Sequence, residues 1–266
     1  MTVVSDIVSW MNAQAPLALS ESWDNTGLLL GDLSAGVSKI QTCLTLTPAS
    51  VDEAIRKQAD LVIAHHPTPF KPLNRITTES YVGKLLWQLA SHRIAVYSPH
   101  TAWDSAEIGI NAMIATRLGL SRVQPLIPSS IEGLSHLGAG RTGQLDSKPS
   151  VEHFCKLVRQ VIPNCRLRGV DCSNSISRIA IACGSGASLL GAAVKHGCDL
   201  FLTGEATFHQ CLEAEGAGIS MLLIGHFASE QFAMVELANR ILLQFAEVDC
   251  WASQMEQDPV KDFHSY

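Results

Sequence analysis

Three short segments carry side chains of metal-ligand type: His65-His66-Pro67, His100-Thr101-Ala102-Trp103-Asp104 and His226-Phe227-Ala228-Ser229-Glu230. Together they supply four imidazoles and two carboxylates, donors that suit borderline divalent ions such as zinc, iron, manganese or nickel. Adjacent side chains in a regular strand face opposite ways, so His65 and His66 could not chelate one ion there. At a strand end, with Pro67 stiffening the exit, the pair fits two neighbouring ions better than one. His226 and Glu230 share a helix face if a helix opens near His226, and His100 and Asp104 have the same spacing. A carboxylate bridging two ions about 3.5–4 Å apart would hold them to polarise a substrate and deprotonate water. Glu230 is assigned that bridge. Each segment alone reads more readily as a hydrogen-bonded loop or an exposed helix pair than as a ligand set; three of them, each following a short apolar strand, raise the case for a metal site.

The elements that must position these residues are visible in the apolar pattern. A helix is expected over 6–13, then a polar turn at Trp23-Asp24-Asn25-Thr26-Gly27 before Leu28-Leu29-Leu30. Ile40 to Leu46 is a strand candidate, and Thr47 and Pro48 cap and open a helix over 49–58. Leu61 to Ala64 is a short apolar strand that delivers His65 and His66; a helix over 81–92 follows, and a strand over 94–97 delivers His100. In open α/β sheets that strand edge is where ligands bind. After a helix over 111–118 comes a stretch rich in Pro, Ser and Gly. Beyond it the pattern of short strand, polar loop and helix recurs: Ile179 to Cys183 into Gly184-Ser185-Gly186, Leu200 to Leu202 into Thr203-Gly204-Glu205, and Met221 to Ile224 into Gly225-His226. A long helix is expected over 229–245, a last strand over 248–251 and a polar tail from 257. The organisation expected is a first α/β half over 1–124 carrying His65, His66, His100 and Asp104, a linker over 125–150, and a second half over 151–266 carrying His226 and Glu230. The shared grammar suggests a duplication.

Composition narrows the function classes. In 266 residues, 47% are hydrophobic and 17% charged, the profile of a compact enzyme-sized protein. Lys and Arg number 19 against 25 Asp and Glu, net −6, with no basic stripe, so nucleic acid is not expected as a partner. No apolar run approaches the roughly 18 residues of a membrane span. Eight cysteines without a Cys-x-x-Cys pair, behind an N-terminus with no apolar signal core, lead us to expect reduced thiols and the cytoplasm.

The remaining chemistry-bearing residues receive quieter readings. His92, His136, His153, His196 and His264 are taken as solvated or structural, whereas His209, in a loop-to-helix passage, is a candidate proton donor. Gly184-Ser185-Gly186 could cradle a phosphate at a helix N-terminus. It lacks the P-loop Lys and the third Gly of the dinucleotide fingerprint, and a tight strand-to-helix turn explains it equally well. With no Gly-x-Ser-x-Gly elbow and no base assignable to Cys183, covalent catalysis is set aside.

Six blocks then stand in a familiar order: Trp23 to Gly31, Asp60 to Pro67, His100 to Asp104 with Gly109-Ile110-Asn111, Gly184 to Gly186, Thr203 to Glu205, and Gly225 to Glu230. Over almost its whole length the chain resembles the NIF3-like family, also called GTP cyclohydrolase 1 type 2 homologues. The resemblance implies two interlinked, similar α/β halves with mixed sheets flanked by helices, assembled as a homohexamer with dinuclear metal sites facing an internal cavity. Carried onto this chain, the ligands of two divalent ions are His65, His66, Asp104, His226 and Glu230, with His100 a further ligand or a residue just behind. It also implies a metal-dependent hydrolase acting on a small molecule such as GTP or a related nucleotide; a non-enzymatic metal-binding or regulatory scaffold is the alternative. The chain departs from the family pattern at Thr45, where an Asp is common, and at Ala206-Thr207-Phe208-His209, where a His pair is common.

Overall fold

A computed structural model describes residues 1–261; the end of the expected tail, with His264, lies outside them. Two compact units share the chain, and each is discontinuous in sequence. The first holds Met1–Asn12, Ser22–His100 and the chain from Met234 onward; the second holds Ala13–Glu21 and Thr101–Ala233.

In chain order the first unit begins with α1 (Val4–Gln14), β1 (Gly27–Leu30), β2 (Lys39–Cys43), α2 (Pro48–Lys57), β3 (Leu61–Ala64), α3 (Tyr81–Ser91) and β4 (Ala95–Ser98). Next come α4 (His100–Ser105), α5 (Ile110–Arg117), β5 (Ser121–Pro128), β6 (Gly138–Gln144), α6 (Val151–Val161), β7 (Arg168–Val170) and β8 (Arg178–Ala182). The chain continues through a 3-10 turn into α7 (Leu190–Lys195), β9 (Leu200–Thr203), α8 (Phe208–Ala217), β10 (Ser220–Leu223) and α9 (His226–Glu230). It closes with α10 (Phe232–Gln244) and β11 (Asp249–Ala252).

Each unit is built on a mixed sheet, as expected. In the first, β11, β2, β3 and β4 run parallel and β1 pairs antiparallel with β4 at the edge. In the second, β8, β9 and β10 are parallel, with β6 and β5 added antiparallel on one side and β7 on the other. The centre of both is therefore a βαβαβ unit whose three strands lie side by side in sequence order.

Local chemistry explains the crossovers. Thr47 accepts from the Ser50 amide, Ser50 answers to the Thr47 amide, and Pro48 supplies a preset first turn, so α2 starts where its capping residues dictate. Thr207 and Gln210 make the corresponding box at the start of α8. In the first unit Val51, Ala54, Leu85 and Leu89 pack with Val62 and Val96 of the sheet; in the second Leu190, Ala193 and Ala214 pack with Ala180, Phe201 and Met221.

Two segments differ from the pattern read in sequence. The stretch over 125–150 holds most of the β5–β6 hairpin, and the chain beyond Met234 returns to the first unit to add β11 beside β2. The long helix expected over 229–245 divides into α9 and α10. Among the described residues no helix is long and apolar enough to cross a membrane.

Phe201 is fully buried at the centre of the second sheet, whereas Phe208 is 72% exposed. Phe201→Ala should lower unfolding free energy by about 3–5 kcal/mol, while Phe208→Ala should stay within about 0.5 kcal/mol of the parent. Paired urea titrations check both.

Candidate functional site

In the first unit the imidazoles of His65, His66 and His100 converge. Because β3 ends at Ala64, the strict alternation of a strand no longer separates His65 from His66. Their ring centroids lie 5.1 Å apart, and the His100 ring stands 5.2 Å from His65 and 5.6 Å from His66. One nitrogen from each ring falls within 4.8 Å of the others, a group that could hold a metal ion. His65 is buried, and the other two are half-buried.

Two of these rings are held at Nδ1. His66 Nδ1 shares a hydrogen bond with the Thr45 hydroxyl at 2.7 Å. His100 Nδ1 meets Asp24 Oδ1 at 2.7 Å, and the Asp24 carboxylate is wholly buried. A ring fixed at Nδ1 presents Nε2, and a carboxylate behind the ring is the usual companion of a metal-binding histidine. His100 itself opens α4 with φ of 29°, an unusual conformation for a residue with a Cβ.

The second unit repeats the device. His226 opens α9 directly after β10, and one turn on its Nε2 lies 3.1 Å from Glu230 Oε2. The two form a hydrogen-bonded imidazole–carboxylate pair, and both groups are of the type that ligates divalent cations. His226 Nδ1 is 3.0 Å from Glu205 Oε1. Burial pulls the imidazolium down, but the bonds and charges of Glu230 and Glu205 outweigh it and hold His226 up at about 9. The pair of carboxylates thus calls for positive charge between them. Glu205 in turn lies below the usual carboxylate range, through its bonds to Ser185 and His226.

The turn after β8 sets Glu230. Gly184 has φ of +56°, its amide donates to Ser229 Oγ at 2.9 Å, and a Cβ there would stand 2.2 Å from Glu230 Oε1. That commitment of the Gly184 amide favours the turn reading of Gly184-Ser185-Gly186 over a phosphate cradle.

Asp104, half-buried in α4, is anchored by its surroundings. Asn111 Nδ2 donates to the Asp104 carbonyl at 3.1 Å while Asn111 Oδ1 accepts from the Cys183 amide at 2.8 Å, tying α4 to the end of β8. The buried Arg141 guanidinium donates to the carbonyls of Ser105 and Ala106 at the end of α4, and to Gly138 and Gly140. Cys183 Sγ lies 3.4 Å from Asp104 Oδ1. Burial, with the charges of Asp104 and Glu230 nearby, pushes that thiol well up.

The family described as Duf34/NIF3 (NGG1p interacting factor 3) matches residues 2–259. The chain belongs to the DUF34/NIF3 family. Among its relatives, a protein of Clostridium perfringens named GTP cyclohydrolase 1 type 2 homolog is 32% identical, over 96% of this chain and 98% of its own. NIF3-like protein 1 of Drosophila melanogaster is also 32% identical, over 96% and 87%. A solved structure of a Staphylococcus aureus hypothetical protein superposes with a TM-score of 0.87 at 28% identity, covering 98% and 99%. A Bacillus cereus protein related to NIF3 shares the fold, with a TM-score of 0.88.

In this NIF3-family chain the residues that sequence reasoning overlooked are those behind the histidines. Asp24, Glu205 and Asn111 sat inside quoted motifs without a role; Arg141 gave no local signal. Of the other histidines, His209 lies exposed in the first turn of α8, its ring 5.9 Å from that of Phe208. His92 and His153 make local bonds to the Gln88 carbonyl and the Ser150 hydroxyl.

Gly184→Ala should displace the Glu230 carboxylate and weaken zinc affinity by on the order of tenfold. Gly191→Ala, where an added Cβ meets nothing within 4 Å, should leave affinity unchanged. Competition with a chromogenic chelator reads both variants.

Proposed function

We propose that the protein is a dinuclear metal-dependent hydrolase acting on a small molecule, with GTP or a related nucleotide as the first candidate. The observation that carries the reading is the shared treatment of His66, His100 and His226. Each ring is held at Nδ1 by a neighbouring oxygen, the arrangement that orients the rings of metal-binding histidines. The donor set fits the group: imidazoles and carboxylates, with no thiolate among them, suit zinc, iron, manganese or nickel.

Two divalent ions per chain would take His65, His66, Asp104, His226 and Glu230 as ligands, with His100 as a further ligand or just behind. When bound, such ions polarise a substrate oxygen and lower the pKa of water. The chain's own residues supply the rest. Asp24, Thr45 and Glu205 fix the ring planes. Gly184 leaves room for the Glu230 carboxylate, and Asn111 with Arg141 holds the helix that carries Asp104. His209 is the candidate proton donor. The relatives' name, GTP cyclohydrolase 1 type 2 homolog, supports a nucleotide substrate. Homohexameric assembly belongs to the same proposal and rests on the family resemblance; a cytoplasmic location is proposed with it from the cysteine usage.

Untagged protein should carry about two ions per chain by elemental analysis, and both His65→Ala and Glu230→Ala should lose metal while keeping the parent's circular dichroism. On a nucleotide panel the metal-loaded protein should form product that disappears in Glu230→Ala. Metal binding with the same background rate in both proteins would leave the scaffold reading; no metal after anaerobic loading with zinc, iron and manganese would remove the hydrolase reading altogether.

A further inference from the structure

We propose that Glu256 is a positioning residue for His66, acting through Thr45. It lies beyond β11, in a segment to which neither the motifs nor the family resemblance assigned a role. Both of its carboxylate oxygens are used on one short stretch of backbone: the Leu44 amide donates to Oε2 and the Thr45 amide to Oε1, each at 2.8 Å. That stretch follows β2 and touches His66 twice. The Leu44 carbonyl accepts from the His66 amide at 2.8 Å, and the Thr45 hydroxyl meets His66 Nδ1 at 2.7 Å.

The geometry is specific. A carboxylate that takes two successive amides fixes the peptide plane between them, and with it the direction in which the Thr45 side chain leaves the backbone. A threonine hydroxyl on a β-branched side chain has few rotamers to choose from, so fixing the backbone fixes the hydroxyl. The Nδ1 contact then sets the His66 ring.

Glu256 is itself held in place. Ser253 Oγ donates to Glu53 Oε2 at 2.7 Å, the Gln254 amide donates to the same oxygen at 3.2 Å, and Glu53 is paired with Lys57 at 3.0 Å. The segment after β11 is thereby pinned to α2 two residues before it reaches Glu256. Burial pushes the Glu256 carboxyl up to about 7 in spite of the two amide bonds, and Glu53 adds to the rise.

The inference rests on the proposed metal reading only for its consequence, so the test has two arms. The first is independent of metal: in metal-free protein, the ring nitrogen shifts of His66, read by long-range proton–nitrogen correlation, should move in Glu256→Gln and in Thr45→Val. They should move less in Thr45→Ser, which keeps the hydroxyl but loses the methyl that restricts it, than in Thr45→Val. Gln matches Glu in volume but offers an N–H where an acceptor is needed, so the variant should fold. If it does not, Glu256→Asp serves in its place. The second arm is a double-mutant cycle on zinc affinity. Each single variant should weaken binding by about 10–100-fold, the range for residues behind a ligand, and the double variant should be no worse than either single.

Unmoved His66 nitrogens in Glu256→Gln would overturn the proposal, as would losses that add in full. If the parent binds no metal, the hydrolase reading fails, and the ring shifts alone still decide whether Glu256 positions His66.

Discussion

An imidazole serves a cation best when its ring plane is held, and the candidate ligands of this protein are arranged around that constraint. A histidine side chain free to rotate about two bonds would give up on the order of 1 kcal/mol of binding energy to ordering. Here the cost is met by the fold before any ligand arrives. Thr45, Asp24 and Glu205 each reach Nδ1 of a different ring, and each of the three comes from a strand end or loop set by neighbouring structure. Proteins that bind metals through histidine depend on such partners nearly as much as on the ligands themselves.

The two sheets explain why the same device occurs twice. In each unit a βαβαβ core ends in a strand whose exit is a histidine that opens a helix: β4 leads to His100 and α4, β10 to His226 and α9. Four residues on stand Asp104 and Glu230. The first two strand ends in each core are also put to use. β2 leads to Thr45 and β3 to His65 and His66; β8 leads to Cys183 and Gly184, and β9 to Gly204 and Glu205. Carboxyl ends of parallel strands gather polar loops on one edge of a sheet, so a repeated core presents chemistry at repeated positions. The halves share this geometry without close residue-for-residue similarity.

Much of this was legible before any coordinates. Short apolar runs gave the strands, and Thr47-Pro48 marked the helix start at the residue where the capping box forms. The histidines stood at strand ends because the apolar pattern stopped just before them. Two things were hidden. The β5–β6 hairpin is punctuated by Pro125, Pro128, Gly138 and Gly140, which read as a connection. Gly138 is required there because a Cβ would stand 2.1 Å from the Ile127 carbonyl, a close approach between strands that no local pattern encodes. The orienting residues were hidden for a similar reason: Asp24 is 76 residues from His100, and Glu256 is 212 from Leu44. Periodicity reports which face is buried; it does not report which distant carboxylate will meet a ring nitrogen.

The central claim is that histidine nitrogens and carboxylate oxygens, oriented in advance, hold the cation, and that the buried thiol of Cys183 beside Asp104 does not. X-ray absorption at the zinc edge of the loaded protein tests this directly. The account predicts a first shell of nitrogen and oxygen at about 2.0–2.1 Å with the outer-shell scattering of imidazole rings. A sulfur contribution at about 2.3 Å, or a first shell without imidazole scattering, would contradict it.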